Sequence, residues 1–150
     1  MTRALYETGR VRRPISPIEA TRGFLTQLDA RFLTNSAGDR AIELLAPLVW
    51  FDLITDESII VPARYRSNGG TIPRLLWSLV GHPLDEDKIR STVLHDWGCE
   101  MREDWSSTTV HDRLYHSLRA DGNGYYTATT YRIATRTFGP RWRTSPQERP

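Results

Sequence analysis

The chain has a single cysteine, Cys99, in 150 residues, so it can form neither an internal disulfide framework nor a Cys-rich zinc knuckle. It has no run of about 18 apolar residues, the length a membrane-crossing helix requires. Its start lacks an apolar block. Arg3, Arg10, Arg12, Arg13, Pro14 and Pro17 punctuate that stretch and argue against a secretory signal peptide. Lysine is nearly missing, Lys88 standing alone beside nineteen arginines. There is no phosphate-binding P-loop, no dinucleotide fingerprint, no HExxH and no G-x-S-x-G. What is present is a chain 39% hydrophobic, enough for one packed core and too apolar for wholesale disorder.

The formal charge of +2 conceals an asymmetry. Residues 1–23 carry +3, residues 132–150 carry +4, and the stretch between them carries −5. Cationic ends of this kind suit an acidic protein surface, nucleic acid or plain solvent. Residues 1–23 lack hydrophobic periodicity and read as an extended basic arm. Residues 143–150 read as a basic tail. Both are expected to pack little against the domain formed by residues 24–142.

Within that domain the first half reads as β. Phe24, Thr26, Leu28, Ala30 and Phe32 alternate with polar or smaller neighbours, the period of a strand. Asn35 to Asp39 is a turn cluster. Ile42 to Leu53 forms a second strand region, broken at Pro47, and Ser58 to Pro62 a third. Arg74 to Val80 resembles a short helix. Three longer helices follow: one from the acidic Asp85-Glu86-Asp87 turn to about Met101, one from a Ser106 cap to about Ala120, and one from about Tyr125 to Phe138. The class is α+β, a small antiparallel N-terminal sheet followed by a three-to-four-helix C-terminal half.

Chemistry concentrates at His95-Asp96. On a helical wheel Ile89, Val93, Leu94, Trp97 and Met101 share an arc of about 140°. His95 and Cys99 fall outside that arc, and Asp96 lies just past its edge. Adjacent helical residues project about 100° apart, so His95 and Asp96 converge most readily on a third object: a metal, a water or a substrate oxygen. On the next helix Asp112 lies off the Val110/Leu114/Leu118 stripe, and a helical hairpin could bring it towards His95. His95, Asp96 and Asp112 would suit Ca²⁺, Mg²⁺, Mn²⁺ or Zn²⁺. The loop Asn68-Gly69-Gly70-Thr71, with Arg74 just after it, would wall the site. The plainer alternatives are that His95 and Asp96 cap the Gly-Gly loop and that Asp112 pairs with a neighbouring arginine. Cys99, four residues after His95, could pair with it, but is more simply a small buried hydrophobe. Arg132, Arg136, Arg141 and Arg143 form the best phosphate-facing stripe, with a solvated face as the simpler reading.

Four ordered blocks carry a family resemblance. They are Asn68-Gly-Gly-Thr-Ile-Pro-Arg-Leu-Leu-Trp77, Thr92-Val-Leu-His-Asp-Trp-Gly-Cys99, His111-Asp-Arg-Leu-Tyr115, and Tyr131 through Phe138-Gly139 to Trp142. The chain resembles domain-of-unknown-function family thirteen-fifty-three, known chiefly from tailed phages and prophages, over about residues 60–142. The family's loop Asp and Ser stand here as Asn68 and Thr71, and its Leu-Tyr after His-Asp as Gly98-Cys99. The resemblance implies a phage setting but brings no settled activity. The expectation is a virion accessory protein of tail, baseplate or neck, made in the bacterial host cytoplasm, needing no cofactor and docking to other phage structural proteins. Nucleic acid is not the expected partner. The alternative is a small hydrolase acting on the host envelope through His95, Asp96 and Asp112, with a divalent cation.

Overall fold

The computed structural model describes residues 21–34, 36–69 and 72–143. The arm as far as residue 20 and the tail from residue 144 lie outside them. Strands β1 (Arg22–Phe24), β2 (Ala30–Thr34), β3 (Arg40–Leu44), β4 (Leu48–Asp52), β5 (Glu57–Val61) and β6 (Arg66–Ser67) come first. A 3₁₀ turn (Arg74–Leu76) then leads into helices α1 (Trp77–Val80), α2 (Ile89–Glu100), α3 (Ser107–Ala120) and α4 (Tyr125–Phe138). The fold is α+β.

The strands form two antiparallel sheets rather than one meander, in the orders β1-β4-β5 and β2-β3-β6. The alternation from Phe24 to Phe32 spans a corner, where the chain leaves one sheet for the other. That corner is held by Leu25 N–H on the Val49 carbonyl (2.9 Å), Val49 N–H on Thr26 Oγ1 (2.9 Å) and Leu45 N–H on the Asp29 carbonyl (2.8 Å). A matching corner at Leu45-Ala46-Pro47 separates β3 from β4, because proline has no N–H to continue the ladder. Arg22 and Gly23, expected in the arm, belong to β1 and pair with Asp52 and Phe51.

The inner faces of the two sheets supply Ala30, Ile42, Leu44, Leu48, Trp50, Ile59 and Val61, and α2 packs on them with Ile89, Val93 and Leu94. A second apolar cluster joins Ile72, Val80, Leu114, Leu118, Ala128, Tyr131 and Ala134 across α1, α3 and α4. Leu114 and Leu118 are at most 2% exposed, and burial of each contributes about 1.5–3 kcal/mol. Helix α3 starts as its sequence dictates, Ser106 Oγ accepting from Thr109 N–H at 3.2 Å. Helix α2 starts at Ile89, later than its acidic stretch suggests. Asp85 lies in the turn before it and accepts from His82 N–H at 2.9 Å.

The single-stripe reading of α2 is corrected. Ser91, Thr92, His95 and Gly98 are buried along with its apolar residues, because α2 is covered by the sheets and also by α3. A Cβ on Gly98 would lie 2.9 Å from Val110 Cγ1, so the absence of a side chain is what lets α3 approach.

Candidate functional site

Packing α3 against α2 buries two imidazoles in contact. His95 Nε2 and His111 Nδ1 are 2.9 Å apart, and the residues are 3% and 2% exposed. His111 Nε2 lies 3.1 Å from the Pro140 carbonyl. A carbonyl only accepts, so His111 Nε2 carries the proton and Nδ1 accepts from His95 Nε2–H. Burial, and then the neighbouring His95, hold the His111 pKa down to about 4, consistent with a neutral ring.

On the other side of His95, its Nδ1 is 3.8 Å from Asp96 Oδ1. Asp96 Oδ2 accepts from Ser67 Oγ–H at 2.5 Å and from Gly69 N–H at 3.3 Å. Ser67 reaches Asp96 because it lies in register with Ile42, on the inward face of its sheet. Gly69 presents its N–H from a left-handed conformation, φ +69°, with Pro83 Cβ 3.1 Å from where a side chain would begin. A polar thread therefore runs from β6 through α2 and α3 to the chain beyond α4.

Two other groups border the thread. Cys99 Sγ is 3.8 Å from His95 Nε2 and 3.9 Å from Nδ1. Burial, with Asp96 nearby, pushes its pKa up to about 12, so the thiol stays protonated and unreactive at neutral pH. Tyr65 donates to Glu100 Oε1 at 3.1 Å, and burial with the Asp96 charge raises its pKa.

The expected trio does not assemble. Asp112 faces α4, where Arg136 Nη2 donates to its Oδ1 at 2.6 Å and Arg132 Nη1 lies at 3.9 Å. His111 and Asp112 are neighbours on one helix, and the turn between them sends the histidine inward and the aspartate to the surface. Asn68 is exposed, and Arg74 donates to Asp39 Oδ1 at 2.9 Å. Gly70 and Thr71 lie outside the described residues. Among the described residues no three His, Cys, Asp or Glu side chains converge in a metal-binding arrangement.

The sequence reading missed Ser67 and the role of His111. The two-residue alternation of β6 carried the first signal. The second lay in the position of His111 beside the apolar stripe of a helix expected to pack on α2. His116 on the same helix is half-buried, and its Nδ1 accepts from Arg22 Nη1 at 2.9 Å.

A second polar feature lies beyond α4. Ser107, Thr108, His111, Arg136, Arg141, Trp142 and Arg143 line an open cleft of about 500 Å³.

A family model described as "Protein of unknown function (DUF1353)" matches residues 42–134. The chain belongs to the DUF1353 family. The match takes in the thread from Ser67 to His111 and ends before Arg136, Pro140, Arg141 and Arg143. Two relatives are proteins of Sinorhizobium fredii (strain NBRC 101917 / NGR234). "Uncharacterized protein y4jT" is 34% identical over 85 residues, 55% of this chain and 24% of that protein. "Uncharacterized protein y4iH" is 36% identical over 78 residues, 51% of this chain and 32% of that protein. The aligned segments thus span only a quarter to a third of these relatives' lengths. No solved structure matches.

Proposed function

We propose that this chain is an accessory docking module of a tailed-phage particle, located in the virion and bound to other structural proteins there, and that it is not a hydrolase. One observation carries the choice. The only histidine-aspartate cluster of the expected site is buried and bonded internally, with His95 on His111 at 2.9 Å and His111 on the Pro140 carbonyl at 3.1 Å. A general base needs a lone pair that a substrate can reach. The protonated Cys99 and the outward-turned Asp112 give this site neither a nucleophile nor a third ligand. The phage setting rests on the family resemblance. The docking role rests on the cationic ends, of which Arg132, Arg136, Arg141 and Arg143 reach the described surface.

Mass spectrometry of gradient-purified particles tests this reading, alongside metal analysis of the isolated chain. The chain is expected in the particles and without stoichiometric metal. Its absence from particles, together with about one equivalent of Zn²⁺, Mn²⁺ or Ca²⁺ lost in His95→Ala, would establish the hydrolase instead.

A further inference from the structure

The chain beyond α4 crosses back over the start of α3 and is held there at several points. Gly139 permits the crossing: a Cβ at that position would lie 2.3 Å from the Thr135 carbonyl oxygen. Pro140 offers its carbonyl to His111. Arg141 caps the C-terminal end of α4, Nε donating to the Arg136 carbonyl at 3.2 Å and Nη2 to the Thr137 carbonyl at 3.3 Å. Ser107 Oγ–H donates to the Trp142 carbonyl at 3.0 Å, and the Trp142 indole N–H donates to the Trp105 carbonyl at 2.7 Å. This strap is irregular in backbone yet fixed in place, so the side chains it carries are preorganised.

Those side chains make the cleft cationic. Arg136, Arg141 and Arg143 line it with the Ser107 and Thr108 residues, and none of its described lining residues is acidic. Asp112 engages Arg136 from outside the lining. Arg141 donates to the Arg136 and Thr137 carbonyls, and Arg143 is exposed. Guanidinium forks beside hydroxyls recognise the oxygens of phosphate. The cleft is several times larger than one phosphate group and has an indole, Trp142, in its wall. An aromatic wall beside guanidinium groups suits a base attached to the phosphate.

We propose that the cleft between the strap and the start of α3 binds a phosphorylated nucleoside unit, either a free nucleotide or one unit of a single strand. The proposal does not depend on the virion reading.

Fluorescence anisotropy of a labelled oligothymidylate with the full chain tests it, with unlabelled thymidine monophosphate and inorganic phosphate as competitors. The strand is expected to bind and to be displaced by the mononucleotide at concentrations where inorganic phosphate has no effect. Arg143→Gln, at an exposed position, should weaken binding about tenfold with an unchanged melting curve. Arg64→Gln, in the exposed turn between β5 and β6, should leave binding unchanged. Gly139→Ala should also weaken binding by shifting the strap without altering any charge. Tighter binding of the strand than of the mononucleotide assigns the site to nucleic acid, and the reverse order assigns it to a free nucleotide. Three results would overturn the proposal: no binding of either ligand, equal competition by inorganic phosphate, or equal weakening by Arg64→Gln and Arg143→Gln.

Discussion

His111 and Asp112 are consecutive residues of α3, yet they belong to two regions with opposite physics. The region on the His111 side is largely buried and holds the neutral His111 ring and a protonated thiol. Ser67 bonds Asp96 there, His95 bonds His111, and His111 bonds the Pro140 carbonyl. The region on the Asp112 side is open to water and rich in arginine, and its ion pairs lie on the surface. A buried hydrogen-bonded group is costly to remove because its partners lose both the bond and access to water. An exposed ion pair contributes little, since water and salt screen it. Residues that look equally chemical in a sequence therefore carry unequal weight: the buried set determines whether the chain folds, and the open set is available to meet a partner.

Substitutions on either side of this divide should differ in size. The largest loss is expected for His111→Ala, which removes a buried ring and two hydrogen bonds at once. A decrease of about 3 kcal/mol in unfolding free energy should appear in urea titrations. Gly98→Ala comes next. Its new methyl would meet Val110 at 2.9 Å and force α2 and α3 apart, at a cost of about 1–3 kcal/mol measured in the same way.

A pH effect should follow from His111. Its folded pKa is held below the ordinary histidine value, so the unfolded chain binds the proton more readily. Its contribution is complete above about 6.5 and is lost as pH falls towards about 4. The wild-type chain should therefore lose more stability than His111→Gln between those pH values, as followed by thermal melts. A parallel decline in both proteins would mean that His111 is not held neutral. The smallest effect is expected for Asp112→Asn, which should change unfolding free energy by less than about 0.5 kcal/mol. A large loss there would remove the contrast between the two regions.

The helical half was the more legible part of the sequence. Ser106 before Ser107-Thr108-Thr109, and Gly139-Pro140 after Phe138, mark α3 and α4 through cap and stop chemistry that acts within a few residues. The sheets were less legible. Strict alternation persists through the corner at residues 25–29, and only long-range pairing reveals that Phe24 and Ala30 lie in different sheets. The helical wheel misplaced His95 for a related reason. A wheel finds one buried stripe, whereas α2 is covered on several sides, so its small and polar residues are interior too. The loop-capping alternative for Asp96 is met across 27 residues of chain, with Gly69 N–H reaching Asp96 Oδ2. The pairing of His95 with His111 depends on the antiparallel docking of α2 and α3, which no local pattern specifies.

The central claim is that the His95 cluster holds the fold together. Its most direct test is the thermal midpoint of His95→Ala against the wild-type chain at neutral pH. Removal of His95 leaves the buried His111 Nδ1 without its donor, a cost of about 1–3 kcal/mol. The midpoint is therefore expected to fall by roughly 2–12 °C for a chain of this size. A midpoint within about 1 °C of wild type would contradict the account, because no buried histidine that secures two helices can be removed so cheaply.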